Sequence, residues 1–255
     1  MTLAPVTRGF SLTELALVLA IVGVLLGGLM YTLLAQLDQR SWTDTEQRLD
    51  SAREALLGFA TVNGRLPCPA REDSFADEVR SATGDCRDGA GETYYGGLLP
   101  ARAIGLQPVD AQGYAVDAWG NRLRYAVAKT VTGCAAASPA LPHFTHAANL
   151  KSNGITCQPA DLLVCRSSSG ISGTSCGAAG NVVTNQNVVV AIVWSQGKNA
   201  IAAGPDETAN LNGDAVFVSR APSPAGSAGG AYDDLMVWLP AGLLYGRLIA
   251  SGVLP

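Results

Sequence analysis

Charge is scarce in this chain. Only 15% of its 255 residues are Asp, Glu, Lys or Arg, and none of these lies between Leu15 and Leu37. The 17 basic residues are outnumbered by 21 acidic ones, and the pI is near 5.1. That balance gives no case for nucleic acid as a partner, which would need clustered Lys and Arg. Histidine is limited to His143 and His146. No H-E-x-x-H run or nearby acid completes a metal site around them, so they read as surface-loop residues. The chain also lacks a C-x-x-C pair, a G-x-S-x-G elbow, a Walker A loop and a dinucleotide fingerprint. It therefore offers no catalytic residues, and the expectation is a structural protein, not an enzyme. Five Phe against 29 Gly describe a loop-rich domain.

What is present starts at the N-terminus. Residues ending in Arg8-Gly9 precede Phe10-Ser11-Leu12-Thr13-Glu14, and 23 uncharged residues follow from Leu15 to Leu37. At about 1.5 Å per residue such a run reaches about 34 Å, so the sequence predicts a single-pass transmembrane helix. Glu14 falls just inside its leading edge, where a carboxylate costs up to roughly 2.5–3.5 kcal/mol and needs a partner. Phe10 and Glu14 are i and i+4 on one helix face, and the helix N-terminus favours an acid. A secretory signal peptide would have a shorter apolar core with its cut after it. A plain anchor explains the length but not the Gly-Phe…Glu arrangement. Gly23 and Gly27 form a small-xxx-small pair suited to helix packing, although glycine is also common in membrane helices.

Gly9-Phe10-Ser11-Leu12-Thr13-Glu14-Leu15, continuing ALVLAIVGVLLGG, resembles the N-terminal signature of type IV pilins and type II secretion pseudopilins. The resemblance implies a leader over 1–9, removed by prepilin peptidase between Gly9 and Phe10, and N-methylation of Phe10. It also implies that Glu14 pairs with the Phe10 amine of a neighbouring subunit during filament assembly. Tyr31 stands where other members have proline. The implied partners are other pilin or pseudopilin subunits and an inner-membrane assembly platform. The implied layout is a transmembrane and filament-core helix over 10–37 and a periplasmic or extracellular domain over 38–255. Two alternatives stand beside the secretion pseudopilus: a minor type IV pilin for adhesion, motility or DNA uptake, and a membrane-anchored binding domain that never polymerises.

A second, looser resemblance lies further on. Asp117-Ala118-Trp119-Gly120-Asn121-Arg122-Leu123-Arg124-Tyr125 is similar to a Trp-Gly-Asn segment of major pseudopilins, with Ala118 and Arg122 in place of two prolines. Ser195-Gln196-Gly197-Lys198-Asn199 and Asp233-Asp234-Leu235…Trp238 resemble two later elements of that group, between which those proteins bind calcium. Here the intervening loop has Asp206, Glu207, Asn210, Asn212 and Asp214, with Asp233-Asp234 to follow. Calcium takes six to eight oxygens, and the spacing is not that of an EF-hand. A calcium site and a solvated acidic loop are both compatible with this pattern. Trp119 reads as a core or turn-packing residue.

The remaining pattern predicts an α+β fold. Its parts are a long N-terminal helix (membrane half plus amphipathic half), a small antiparallel sheet and disulfide-pinned loop insertions. The amphipathic half has its stripe at Trp42, Leu49, Ala52, Leu56, Phe59 and Val62, and ends at Asn63-Gly64 before Pro67. Strands are expected over 122–128, 188–195, 215–219 and 235–239, short helices within 98–106 and from Pro240 onward. Cys68, Cys86, Cys134, Cys157, Cys165 and Cys176 all follow the apolar run, and their even number reads as disulfides. Cys68 and Cys86 flank one loop and are expected to pair. The other four lie within a cysteine-bearing insertion over 132–187 and are expected to pair among themselves.

Overall fold

The computed structural model describes residues 11–134, 142–227 and 229–255, apart from the side chains at 26 and 28–35. The chain divides into two compact units, Met1–Thr43 and Asp44–Pro255. Helical backbone, α1, covers Leu12–Asn63. Its first turn is closed by a reciprocal capping box: Ser11 N–H donates to Glu14 Oε2 at 3.0 Å, and Glu14 N–H donates to Ser11 Oγ at 3.2 Å. Gly64, with φ +67°, ends the helix where the sequence placed its end, its N–H donating to the Ala60 carbonyl at 2.8 Å.

The expected membrane half is overturned. Among the described residues no helix is long and apolar enough to cross a membrane. From Asp38 onward α1 carries a charge on nearly every turn. The single-pass inner-membrane location inferred from the same run is corrected with it. The disulfides point instead to an oxidising compartment.

In the second unit α1 buries Thr45, Leu49, Ala52, Leu56, Leu57 and Ala60. The predicted stripe holds through Leu56 and then turns: Leu57 and Ala60 face inward, while Val62 is 84% exposed. A pitch of 3.6 residues accommodates that, because Leu49, Leu56 and Ala60 stay on one face.

The fold is α+β, but among the described residues the expected antiparallel sheet is accompanied by three two-stranded sheets. In chain order the strands are β1 (Arg87–Asp88), β2 (Gly91–Glu92), β3 (Gly97–Leu98), β4 (Arg124–Val127), β5 (Val131–Thr132), β6 (Gln158–Pro159), β7 (Leu163–Cys165), β8 (Val189–Ser195), β9 (Val216–Val218) and β10 (Leu235–Pro240). The main sheet has the order β10-β8-β4-β3 and is antiparallel throughout. All seven residues of β8 are buried, as its unbroken apolar run predicts. The surprise is β7, which lies inside the cysteine-bearing insertion and pairs in parallel with β9. Phe217 of β9 meets Trp194 of β8 edge-on at 5.0 Å, fastening that pair to the main sheet. The insertion is therefore part of the core, not an appendage.

Short helices complete the unit: α2 (Ala101–Ile104), α3 (Ala147–Asn153), α4 (Pro205–Ala209) and α5 (Ala241–Ala250). Helix α5 buries Leu244, Tyr245 and Leu248, and Arg247 reaches Glu54 of α1 at 3.1 Å. The disulfides are Cys68–Cys86, Cys134–Cys157 and Cys165–Cys176. The first is the expected pair, and the other four cysteines pair among themselves.

Candidate functional site

The two segments singled out by the second resemblance meet. Asp117 is buried and caps its own turn, Oδ1 accepting from the Trp119 and Asn121 N–H groups at 2.9 and 2.8 Å. Its Oδ2 accepts from the Ser195 hydroxyl at 2.6 Å, and Asn121 Nδ2 donates to the Gly197 carbonyl at 2.7 Å. Helix α1 holds the same turn from the other side. Arg48 Nη1 donates to the Val116 and Asp117 carbonyls at 3.1 and 2.7 Å, and Ala118 N–H donates to Thr45 Oγ1 at 3.1 Å. An Asp with a glycine three residues on is a turn signal. What it docks against could not be read from the turn itself.

Gly197 carries the connection onward. It has φ +65°, and a Cβ there would fall 2.2 Å from the Asp233 carbonyl oxygen and 2.5 Å from Asp233 Oδ1. Only glycine lets the 195–199 turn approach so closely. Beyond it lie Glu207, Asp233 and Asp234, whose carboxylate oxygens fall within 4.8 Å of one another. Glu207 accepts from the Ala203 and Asp233 N–H groups at 2.6 and 2.8 Å. Asp234 Oδ2 accepts from Asn210 Nδ2 at 2.7 Å.

The five-residue calcium set expected from the loop does not converge. Successive residues of a helix point about 100° apart, so α4 sends its two acids different ways. Asp206 turns to Arg220 at 2.6 Å and to the N–H and hydroxyl of Ser168 at 2.7 and 2.6 Å. Glu207 turns to Asp233 and Asp234. Asn210 spends its side chain on the Val218 backbone and on Asp234. Asn212, exposed, and Asp214, half-buried, are bonded to each other. Of the five only Glu207 belongs to the carboxylate group, and the two that complete it, Asp233 and Asp234, come just before β10.

Electrostatics separates the two halves of this region. Burial pushes the Asp206 carboxyl up, but the Ser168 hydrogen bonds and the Arg220 guanidinium outweigh it and hold it below the usual carboxylate range. Burial, then the neighbouring charges of Glu207 and Asp233, push Asp234 up to about 7. Asp233 is raised as well, by burial and by Glu207, and its buried Oδ1 has no hydrogen-bond partner. Three crowded carboxylates with an orphaned oxygen suit a hard divalent cation such as calcium. Glu207, Asp233 and Asp234 would hold it, and it would supply neutralisation and loop order. When Asp234 is protonated, that proton removes part of the same repulsion.

The other expected residues are placed as follows. Gly9 and Phe10 lie outside the described residues. Glu14 is bonded to Ser11 of its own chain. A side chain at Gly23 or Gly27 would meet nothing within 4 Å. His143 is buried, not at the surface as expected. Its Nε2 lies 3.2 Å from the Tyr245 hydroxyl, and burial lowers its pKa to about 4. His146 caps α3, its Nδ1 accepting from Asn149 N–H at 3.3 Å. No protein-family model, curated protein or solved structure matches this chain.

Proposed function

We propose that this chain is a structural subunit of a pilin-like or pseudopilin-like filament, cut between Gly9 and Phe10 by a prepilin-type peptidase and joined to other copies through the start of α1. The observation that supports this reading most strongly is an apolar surface without cover. Leu12, Leu15, Leu17, Val18, Leu19, Ile21, Val22, Val24 and Leu25 are all exposed, Leu12 by 86% and Val24 by 78%. A helix apolar on every side needs burial, and each such side chain gains about 1.5–3 kcal/mol when fully covered. Equivalent helices of neighbouring copies supply that cover. Gly23 and Gly27, open on their outer side, allow the backbones to approach.

In this reading Glu14 changes partner on assembly, from the Ser11 N–H of its own chain to the Phe10 amine of a neighbour. The carboxylate group at Asp234 fastens loops and has no chemical step to perform. The test is a mass spectrum of the protein isolated from its own cells, with electron microscopy of the same material. A chain beginning at a methylated Phe10, in filaments that Glu14→Ala abolishes, supports the reading. A monomeric chain that retains Met1 to Gly9 overturns it.

A further inference from the structure

The dipeptide Asn-Gly occurs three times, at 63–64, 153–154 and 212–213. With no Cβ on the second residue, its backbone nitrogen can reach the asparagine side-chain carbon and close a succinimide ring. The nitrogen must first be free, because a hydrogen bond holds the N–H on its acceptor. Two of the three sites are blocked in this way. At the end of α1 the Gly64 N–H donates to the Ala60 carbonyl at 2.8 Å, and Asn63 Nδ2 donates to the Phe59 carbonyl at 2.9 Å. At the end of α3 the Gly154 N–H donates to the Leu150 carbonyl, and the buried Asn153 has its Nδ2 on the Asn149 carbonyl at 3.0 Å. The bond that closes each helix also occupies the nucleophile.

Asn212 is different. It lies between α4 and β9, it and Gly213 are exposed, and among the described residues the Gly213 N–H donates to nothing. A Cβ at Gly213 would meet nothing within 4 Å, so the turn is uncrowded at this point. The side chain is held beside the turn and not drawn away from it. Asn212 Oδ1 accepts from the Asp214 N–H at 2.8 Å, and Nδ2 donates to Asp214 Oδ2 at 2.7 Å. An N–H on Oδ1 draws electrons from Cγ and stabilises the charge that develops on that oxygen when Cγ is attacked.

We propose that Asn212 is a site of spontaneous deamidation, selected by the fold from three identical dipeptides. The Gly213 nitrogen gives its proton to hydroxide and bonds to Asn212 Cγ. The Cγ–Nδ2 bond breaks, and Nδ2 leaves as ammonia after taking a proton from water, which restores the hydroxide. Water then opens the imide at either carbonyl and cleaves one C–N bond, leaving aspartate or isoaspartate. One amide and one water are consumed, one acid and one ammonia form, and no atom changes oxidation state. Either product carries a new carboxylate where an amide had donated to Asp214 Oδ2. Asp214 Oδ1 in turn accepts from the Val216 N–H at 2.8 Å, so the repulsion falls on the start of β9, the strand that pairs with β7. This inference does not rest on the filament reading, since the reaction needs only water and time.

The test is peptide mapping by mass spectrometry after the full-length protein has been incubated in heavy-oxygen water at pH 8. Parallel samples are held in denaturant with the disulfides reduced. In the folded protein the label should enter residue 212 at least about tenfold faster than residues 63 and 153. In denaturant that difference should collapse, because the same dipeptide then stands free at all three places. Equal labelling of the three in the folded protein overturns the proposal. So does a preference for 212 that persists undiminished in denaturant. Incubated wild type should also melt earlier than fresh protein, and Asn212→Gln, whose longer side chain cannot close the same ring, should not. A Gln variant that loses stability as fast as the wild type would overturn the link to β9.

Discussion

Asp206 and Glu207 are neighbours on one short helix, yet they belong to opposite electrostatic worlds. Asp206 is matched: it has a guanidinium, a hydroxyl and a backbone N–H. Glu207 faces two further acids. The matched half resembles a finished structural joint. The unmatched half is where the protein holds charge that something else must neutralise. Burial alone does not distinguish them, since both residues are 1% exposed. The difference lies in which way α4 turns each side chain.

The largest effect should come from breaking the matched half. Asp206→Asn leaves Arg220, 19% exposed as a side chain, without its counter-charge. That should cost roughly 3–5 kcal/mol in a denaturant melt. Asp234→Asn, by contrast, removes a charge from the crowded group and should be neutral or stabilising above pH 7. Equal losses from the two substitutions would erase the contrast.

A smaller effect should follow calcium. If the cluster holds calcium, saturating ion at pH 8 should stabilise the wild type by about 2.7 kcal/mol at a hundred times its Kd. Asp234→Asn should lose most of that gain, and a variant at Asp214, which lies outside the carboxylate group, should keep it. Thermal melts with calcium and with a chelator would show this.

The subtlest effect is in the pH profile without metal. Asp234 has its folded pKa raised from 3.8 to about 7, so folding favours its protonated form. Its contribution is complete below pH 4 and is lost as pH rises to 7. His143 has its folded pKa lowered from 6.5 to about 4, so folding favours the neutral ring. Its contribution is complete above pH 6.5 and is lost as pH falls toward 4. The two slopes oppose each other over the same window, and the wild type should look nearly flat there. Asp234→Asn should expose a loss of stability toward acid, and His143→Gln a loss toward base. A flat profile in either variant would contradict the assignment.

Much of this fold was legible because its signals are local. The seven-residue apolar run of β8 had to be buried on both faces, Asn63-Gly64 had to stop a helix, and Cys68 and Cys86 bracket one loop. The parallel pairing of β7 with β9 was not legible, since it joins residues about fifty apart and β7 lies in a stretch that reads as loop. The calcium-type set was misjudged for a related reason. Counting donors along the chain ignores the 100° turn between successive helical residues, and it favoured Asn212 and Asp214 over Asp233 and Asp234. The apolar N-terminal run misled about the membrane, because hydropathy reports that a segment seeks cover and not what provides it. Glu14 carried a readable signal that went unused: Ser-x-x-Glu ahead of an apolar run is a capping box.

The contacts around Asp117 have a mechanical consequence. Thr45 and Arg48 grip the 117–121 turn, Ser195 and Asn121 tie that turn to the next, and Gly197 rests against Asp233. Part of any tension along the helix axis would enter the domain at this turn and travel link by link to the acids. A tug at one end would therefore be felt at the far end as a change in the spacing of Glu207, Asp233 and Asp234.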